Sequence, residues 1–510
     1  MRGLNRQQAS ISISVVTQTS QIKCVSRLFV PAGSRSERLL ITGLCIVGAI
    51  RVFIFCAAFP FFNNVDEKSH FDLVFKYSRL SLPAAPLEKF DSEAAEIIAT
   101  CTTGGYYDKP AVFTPEEAAE NADFWKSWVN LETWAWPAYY MLAGFWCWLG
   151  KYIAFAGVRL LYWIRFLNVP LMAAFVWVSY AFSRRFLWAN PQQRIALPLM
   201  VAFFPQDIFF AITADVLSPV VFATAFLMLL GICNEEKTWR YHLLAGLAVA
   251  VAFLAKASNI AILFLAAVLF LNEIQQAVRQ KRLKRKIASL AAFALASIVP
   301  VALWLGRNYV LFGDFSGAAA SIQVRTWIAL PFNEMFNHPI LTPSGLFYFI
   351  TELTRFFWRG EFIWNNERIA SDFMDWFYII SSALFLSASI LGLVFDRTKR
   401  DSSYRLALSA GLFVLVLSVA FLAVMSMRYD FGQCFYPSRE KPFFLSGRLI
   451  SGAILPFLLL YTDGLYRILS KLRLACCLLI VVAVIVAAVT ISEIILSWTV
   501  FASPYNWFHV

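Results

Sequence analysis

The chain has 510 residues, of which 59% are hydrophobic, 16% aromatic and only 15% charged. Soluble domains carry about a quarter charged residues. Here apolar runs of about 18 residues or more recur along nearly the whole length, which excludes a soluble protein and indicates an all-α, polytopic integral membrane protein. The net charge of +12 does not indicate a nucleic-acid partner, because the basic residues occupy short loops between apolar runs, as the positive-inside rule expects.

The chain begins with a polar, basic segment, residues 1–37, which we expect to stay in the cytoplasm. The apolar run that follows is too long for the core of a signal peptide, so we predict an uncleaved first span near 39–61. Arg51 lies deep inside this span, where a cation needs a partner or must snorkel to the surface. Asp207, which we assign to another span, is a candidate partner.

Apolar runs and basic loops then alternate regularly. They predict eleven or thirteen spans with an external C-terminus, near 167–183, 195–213, 215–233, 241–256, 259–272, 288–305, 374–395, 404–427, 447–466 and 474–498 after the first. The two counts differ at 131–165, an aromatic stretch that either crosses twice or lies in the membrane interface.

Two large external loops are expected, at 62–130 and 306–373, and both are far longer than a connection between two helices requires. By domain, the chain divides into the tail, a transmembrane module 38–315, the rest of the second loop 316–373, and C-terminal transmembrane helices 374–510.

An acidic cluster follows the first span directly, in the stretch 61–72. On a helix Asp66, Glu67 and His70 share one face. There they could coordinate a divalent metal, Mg²⁺ or Mn²⁺, or a carboxylate could take a proton from an acceptor hydroxyl. The alternative is structural: Asn64 caps the helix, and an acid in the first turn suits the helix dipole.

Asp215 lies in a very short external turn. It is either a second acidic ligand that faces the first cluster, or the cap of the next span, with Thr213 sharing that task. The spacing leaves both interpretations open.

Several cations fall in segments that we place outside, where the positive-inside rule does not account for them. Those singled out are Lys256, Arg307, Arg428 and Arg448. Such a set could bind a lipid-linked phosphate at the membrane edge. The alternative for each is snorkelling to headgroups or pairing with external acids.

Four segments resemble motifs of the GT-C superfamily of polytopic glycosyltransferases, in the right order and topological places. They are Asp66-Glu67-Lys-Ser-His70-Phe71 after the first span, Glu132-Thr-Trp-Ala-Trp-Pro137-Ala-Tyr-Tyr140, Phe204-Pro205-Gln206 leading to Asp215, and Trp304-Leu-Gly-Arg307-Asn308. The second is similar to a His-Pro-Pro-Leu-Tyr-Tyr segment but lacks its histidine and one proline.

The resemblance implies an enzyme similar to mannosyl and aminoarabinose transferases, which use a polyprenyl-phosphate-linked sugar and act on a sugar, lipid or protein acceptor. It implies Asp66 or Glu67 as catalytic base or metal ligand, Asp215 as the second acid, and Lys256 and Arg307 on the lipid phosphate. The expected location is the inner or plasma membrane.

Two other function classes compete with the transferase. A transporter or flippase of a lipid-linked sugar would need ionisable groups near the bilayer midplane and broken helices in paired halves. A non-catalytic assembly subunit would be indifferent to both carboxylates of the first loop.

Overall fold

The computed structural model describes residues 34–63, 66–101, 114–187, 190–234, 237–364, 367–395, 402–434, 436–503 and 506–509. Most of the predicted tail and Asn64 therefore lie outside the described residues. The described part is mostly helical and has almost no sheet, which confirms the all-α class. Its α-helices are Arg35–Ala58 (α1), Glu67–Ser78 (α2), Ser92–Cys101 (α3), Pro115–Ser127 (α4), Pro137–Tyr152 (α5), Gly157–Arg165 (α6), Asn168–Phe186 (α7), Pro191–Ala202 (α8), Leu217–Asn234 (α9), Trp239–Ala255 (α10), Ile260–Arg279 (α11), Leu283–Phe312 (α12), Ala319–Val324 (α13), Pro343–Arg359 (α14), Asp372–Phe395 (α15), Ser402–Arg428 (α16), Ile454–Lys471 (α17), Leu478–Leu496 (α18) and Trp498–Phe501 (α19).

Four two-residue strands occur in the described loops and form two small antiparallel ladders. Ile328–Ala329 (β1) pairs with Tyr429–Asp430 (β4), and Ile363–Trp364 (β2) pairs with Glu367–Arg368 (β3). The first ladder ties the second large loop to the segment that follows α16.

Nine helices in the described part of the chain are long and apolar enough to cross a membrane. They are Arg35–Ala58, Gly157–Phe186, Ala214–Cys233, Ala257–Arg279, Leu283–Phe312, Asp372–Phe395, Ser402–Arg428, Gly447–Lys471 and Ala475–Leu496. The apolar helix α10 is shorter, with 17 residues. The chain is thus a multi-pass membrane protein.

The short helix α8 and the segment after it run beside α1 in the same direction. Arg194 forms an ion pair with Glu37 at the start of α1, with Nε 2.6 Å from Oε1. At the far end of α1, the rings of Phe55 and Phe210 stack with their centroids 4.5 Å apart. The segment from 194 to 210 therefore traverses the bundle, although α8 itself has only 12 residues.

The stretch 131–165 folds as two short helices, α5 with 16 residues and α6 with nine. At 1.5 Å per residue, α6 reaches only ~14 Å, about half of a bilayer core. Its last residue, Arg165, contacts Glu67 in the first large loop. This geometry fits the interfacial alternative rather than two crossings. The nine long helices, with α8 and α10, then give eleven traversals within the described residues.

The last described residues return to the end of the bundle that carries the first large loop. The Trp507 ring packs edge-on against Tyr162 in α6 and against Phe166, the residue that follows α6. The ring centroids are 4.9 and 5.7 Å apart. The C-terminal end and the acidic cluster thus lie on one side, as eleven traversals require.

The suggested pairing of Arg51 with Asp207 is wrong. Arg51 pairs instead with Glu493 of α18, through Nε and Oε2 at 3.0 Å and a second contact from Nη2. Both side chains are at least 90% buried. Each charge therefore has its counter-charge inside the bundle, which a buried cation requires.

Candidate functional site

The helix that carries the acidic cluster begins two residues later than a cap at Asn64 would place it. Helix α2 starts at Glu67, and Asp66 precedes it with a left-handed backbone, φ 64° and ψ 5°. Aspartate tolerates this conformation better than most residues. Its side chain makes no capping hydrogen bond, so the carboxylate is directed away from the helix end.

Glu67 is the anchor of the loop rather than a free carboxylate. Its Oε1 accepts from Arg165 Nη2 at 2.7 Å, from Arg165 Nε at 3.2 Å and from the Ile212 N–H at 2.9 Å. Its Oε2 accepts from the Phe62 N–H at 2.8 Å. Both charged side chains are 1% exposed. This buried pair fixes the exit of α1 to α6 and to the turn before α9.

Asp66 belongs to a different group, which we call the charge cluster: Asp66, Asp215, Lys256 and Arg448. Arg448 Nη2 lies 2.8 Å from Asp66 Oδ2, and its Nη1 lies 3.5 Å from Asp215 Oδ2. Lys256 Nζ forms an ion pair with Asp215 Oδ1. Carboxylates and cations thus alternate, and one arginine bridges the two acids.

Access to the charge cluster is graded. The Asp66 side chain is 34% exposed, Lys256 19% and Arg448 14%, whereas Asp215 is 1% exposed. A ligand can therefore reach Asp66 and the edges of both cations, while Asp215 lies behind them. Burial raises the pKa of Asp66, but the cationic groups around it, Arg448 foremost, outweigh this effect and hold the pKa of Asp66 below its usual range.

Local backbone structure positions each member of the charge cluster. Thr213 caps a short 3₁₀ helix, Ala214–Val216, by accepting the Asp215 N–H. Thr213 therefore caps the helix, which leaves the Asp215 carboxylate to contact Lys256 and Arg448. Lys256 ends α10 in an extended conformation, so its side chain turns towards Asp215.

Arg448 is placed by a tight backbone approach. It lies on the 3₁₀ helix Gly447–Ala453, which packs on the end of α14. A Cβ atom at Gly447 would come 2.1 Å from the Phe357 nitrogen. Only glycine fits this contact, and it brings the following guanidinium to the cluster.

His70 does not join Glu67 as a ligand. Its Nδ1 lies 2.6 Å from the Tyr140 hydroxyl, and the two rings stack with centroids 6.0 Å apart. Burial lowers the pKa of His70 to about 3, so the imidazole is neutral near pH 7. Tyr140 ends the segment that resembles His-Pro-Pro-Leu-Tyr-Tyr, which explains how that segment meets the first-loop motif.

Two of the predicted phosphate-binding cations lie outside the charge cluster. Arg307 donates to the Pro83 carbonyl and stacks over Trp304, with its Cζ 4.6 Å from the ring centroid. Arg428 donates to the Leu330 carbonyl at the end of α16. Both connect external loops, and of the four predicted cations only Lys256 and Arg448 contact the acids.

A second ion pair borders the site and was missed by the sequence analysis. Glu132 Oε1 accepts from Arg325 Nη2 at 2.8 Å, and Ser321 Oγ donates to the Leu131 carbonyl at 2.8 Å. These contacts clasp the two large loops together. Burial raises the pKa of Glu132, and the nearby Asp66 carboxylate adds to the rise.

Glu361 and Asp207 form a third acidic element next to Arg448. The Glu361 carboxylate accepts from the Tyr436 hydroxyl at 3.1 Å and from the Ser446 hydroxyl. The Glu361 N–H donates to Asp207 Oδ2 at 2.9 Å, while Asp207 Oδ1 has no hydrogen-bond partner.

The residues do not fit a divalent metal in this arrangement. Among the described residues, no three His, Cys, Asp or Glu side chains converge as metal ligands. The predicted set of Asp66, Glu67 and His70 is not assembled, because Glu67 bonds Arg165 and His70 bonds Tyr140. Three of the four carboxylate oxygens of Asp66 and Asp215 contact Lys256 or Arg448.

No protein-family model and no curated protein matches this sequence. Among solved structures, the chain is similar to Archaeoglobus fulgidus oligosaccharyltransferase in complex with Zn and sulfate (TM-score 0.45, 12% identity, 91% of this chain and 53% of that one). It is also similar to the apo form (0.42, 12%, 91% and 56%) and to AglB with an inhibitory peptide and a dolichol-phosphate (0.43, 10%, 93% and 56%). This chain spans about half the length of the archaeal protein.

Proposed function

We propose that the chain is a membrane glycosyltransferase that moves a sugar from a polyprenyl-phosphate-linked donor to an acceptor at the external membrane face. The observation that carries the proposal is the charge cluster, in which a partly exposed carboxylate, Asp66, faces two cations, Lys256 and Arg448. Asp66 can accept a proton, and Lys256 and Arg448 can bind a phosphate together.

In the proposed reaction, the donor phosphate binds Lys256 and Arg448. Asp66 takes the proton of an acceptor hydroxyl, and the acceptor oxygen forms a bond to the anomeric carbon. The bond from that carbon to the phosphate oxygen breaks, and its electron pair leaves with the polyprenyl phosphate. Preorganised cations stabilise the charge that develops there, and attack from the opposite face inverts the anomeric centre.

Arg448 links the two halves of this chemistry. It shares its guanidinium between Asp66 and Asp215, so a phosphate that recruits Arg448 weakens the contact to Asp66. The pKa of Asp66, which Arg448 holds down, then rises, and the carboxylate becomes a stronger base when the donor is bound. Asp215, almost fully buried, keeps both cations in place.

Glu67 has a positioning role in this proposal. Its oxygens are occupied by Arg165 and two backbone N–H groups, so it holds the loop on which Asp66 lies. The neutral His70, hydrogen-bonded to Tyr140, holds the same loop from the other side.

The test uses purified protein in proteoliposomes with a panel of polyprenyl-phosphate sugars, labelled in the sugar. We expect labelled product and free polyprenyl phosphate. Lys256→Gln and Arg448→Gln should each lower kcat/KM at least about 10-fold, because each removes a charge-assisted hydrogen bond to phosphate. Arg439→Gln, which removes a 64% exposed loop cation, is the control.

Donor that changes leaflet without being consumed would favour a flippase over this proposal. Neither consumption nor flipping across the panel, with all variants alike, would favour an assembly subunit.

A further inference from the structure

Three of the four carboxylate oxygens in the charge cluster already contact a cation of the same chain. Asp66 Oδ2 and Asp215 Oδ2 contact the two ends of the Arg448 guanidinium, at 2.8 and 3.5 Å. Asp215 Oδ1 contacts Lys256. Two negative charges thus meet two positive charges before any ligand arrives.

The neighbouring groups that could complete a metal site are engaged elsewhere. Glu132 is held by Arg325, and His70 by the Tyr140 hydroxyl. Glu361 of the second loop accepts from the hydroxyls of Tyr436 and Ser446. In the described part of the chain no third ligand is left to join Asp66 and Asp215.

A divalent ion at this place would also meet the wrong charges. On Asp66 it would lie beside Arg448, and on Asp215 it would lie beside both Lys256 and Arg448, so an ion of charge +2 would face these cations at short range. Lys256 directly follows α10, and Arg448 lies on the 3₁₀ helix that packs tightly at Gly447. Repulsion between like charges at such short range is strong in a partly buried site.

We infer that this site works without a divalent metal, and that Lys256 and Arg448 together supply the positive charge on which the phosphate departs. The inference rests on the proposed function and deepens it, because it assigns the charge neutralisation to two side chains. It replaces the expectation, drawn from the sequence, that Mg²⁺ or Mn²⁺ is held by the first-loop acids.

The first experiment measures Mn²⁺ binding to the intact protein by electron paramagnetic resonance, which needs no activity. We expect no stoichiometric Mn²⁺ on the wild type. We expect at least about 10-fold tighter binding to Lys256→Met and to Arg448→Met, because each change frees a carboxylate oxygen from its cation. Arg439→Met, which frees the carboxylate of Asp430 in an exposed ion pair, is the matched control and should gain none.

Stoichiometric Mn²⁺ on the wild type that is lost in Asp66→Asn would overturn the inference. So would a failure of both Met variants to gain affinity, since the cations would then not be what excludes the metal. The wild-type measurement decides even if a Met variant does not fold.

The second experiment repeats the transfer assay after treatment with a chelator. We expect the rate of sugar transfer to be unchanged. A loss of transfer that Mn²⁺ or Mg²⁺ restores would overturn the inference. If no donor supports transfer under any condition, the proposed function fails, and the Mn²⁺ measurement still decides whether the cations exclude a metal.

Discussion

Glu67 and Asp66 are adjacent acids, and the structure gives them different tasks that one substitution can separate. Glu67→Gln removes the counter-charge of Arg165, which is 1% exposed. It also turns an amide NH₂ towards N–H donors that now bond an oxygen. Breaking one side of a buried ion pair costs about 3–5 kcal/mol.

Arg165 retains part of its bonding after this change, which places the expected cost at the lower end of that range. Its Nη1 donates to the Cys56 carbonyl at 3.2 Å and to the Phe59 carbonyl, and its Nη2 to the Pro60 carbonyl at 3.3 Å. We therefore expect a loss of about 3 kcal/mol, seen as a fall in melting temperature of about 5 °C or more.

The assay is thermal unfolding in detergent, followed by the fraction of monodisperse protein. A second change, Arg165→Met, removes the orphaned charge and should recover part of the stability, since partners in a pair are not additive. Transfer per folded molecule should survive in the double variant. A Glu67→Gln protein that melts like wild type but transfers no sugar would refute the positioning role and make Glu67 a chemical participant.

One titration experiment follows from the burial of His70 near the site. Burial lowers the pKa of His70 to about 3, so the unfolded chain binds the proton first and stability falls as pH drops below about 6.5. His70→Gln should remove about 2 kcal/mol of the loss of stability between pH 7 and pH 5. An unchanged pH dependence of the melting temperature in this variant would show that His70 is not buried in its neutral form.

The class of the protein follows from its sequence because membrane insertion depends on the length of apolar runs and on the charge of the loops between them. Long apolar runs and basic loops indicate the membrane spans without any knowledge of which residues contact each other. The stretch 131–165 needed the structure, because helix length, rather than hydropathy, separates a crossing from an interfacial hairpin. The nine residues of α6 favour the interfacial alternative, and no composition rule places the break at that point.

The charge cluster was only partly predictable, because its members come from four distant segments. Asp66 and Arg448 are 382 residues apart, and spacing carries no information at that range. All four members were candidates, but Arg307 and Arg428 were equally plausible on sequence. Asp66 and Glu67 could not be told apart either, since the left-handed backbone at Asp66 is what directs their side chains to different partners.

The acids that the sequence analysis missed had weak signals. Glu132 lies in a segment that resembles a family motif, but at a position without an assigned role. Glu361 follows Gly360, whose φ of 83° places its backbone directly against the Asp207 carboxylate. Loop acids of this kind become candidates only when their partners are known.

The measurement that tests the central claim most directly is the transfer rate of Asp66→Asn beside Asp123→Asn. Asp123 lies in the same external loop and is 81% exposed, and its substitution is the same chemical change. With both proteins folded and inserted, we expect Asp66→Asn to lower kcat about 100-fold or more, the usual contribution of a general base, while Asp123→Asn matches wild type. Equal rates for the two variants would contradict the assignment of Asp66 as the proton acceptor.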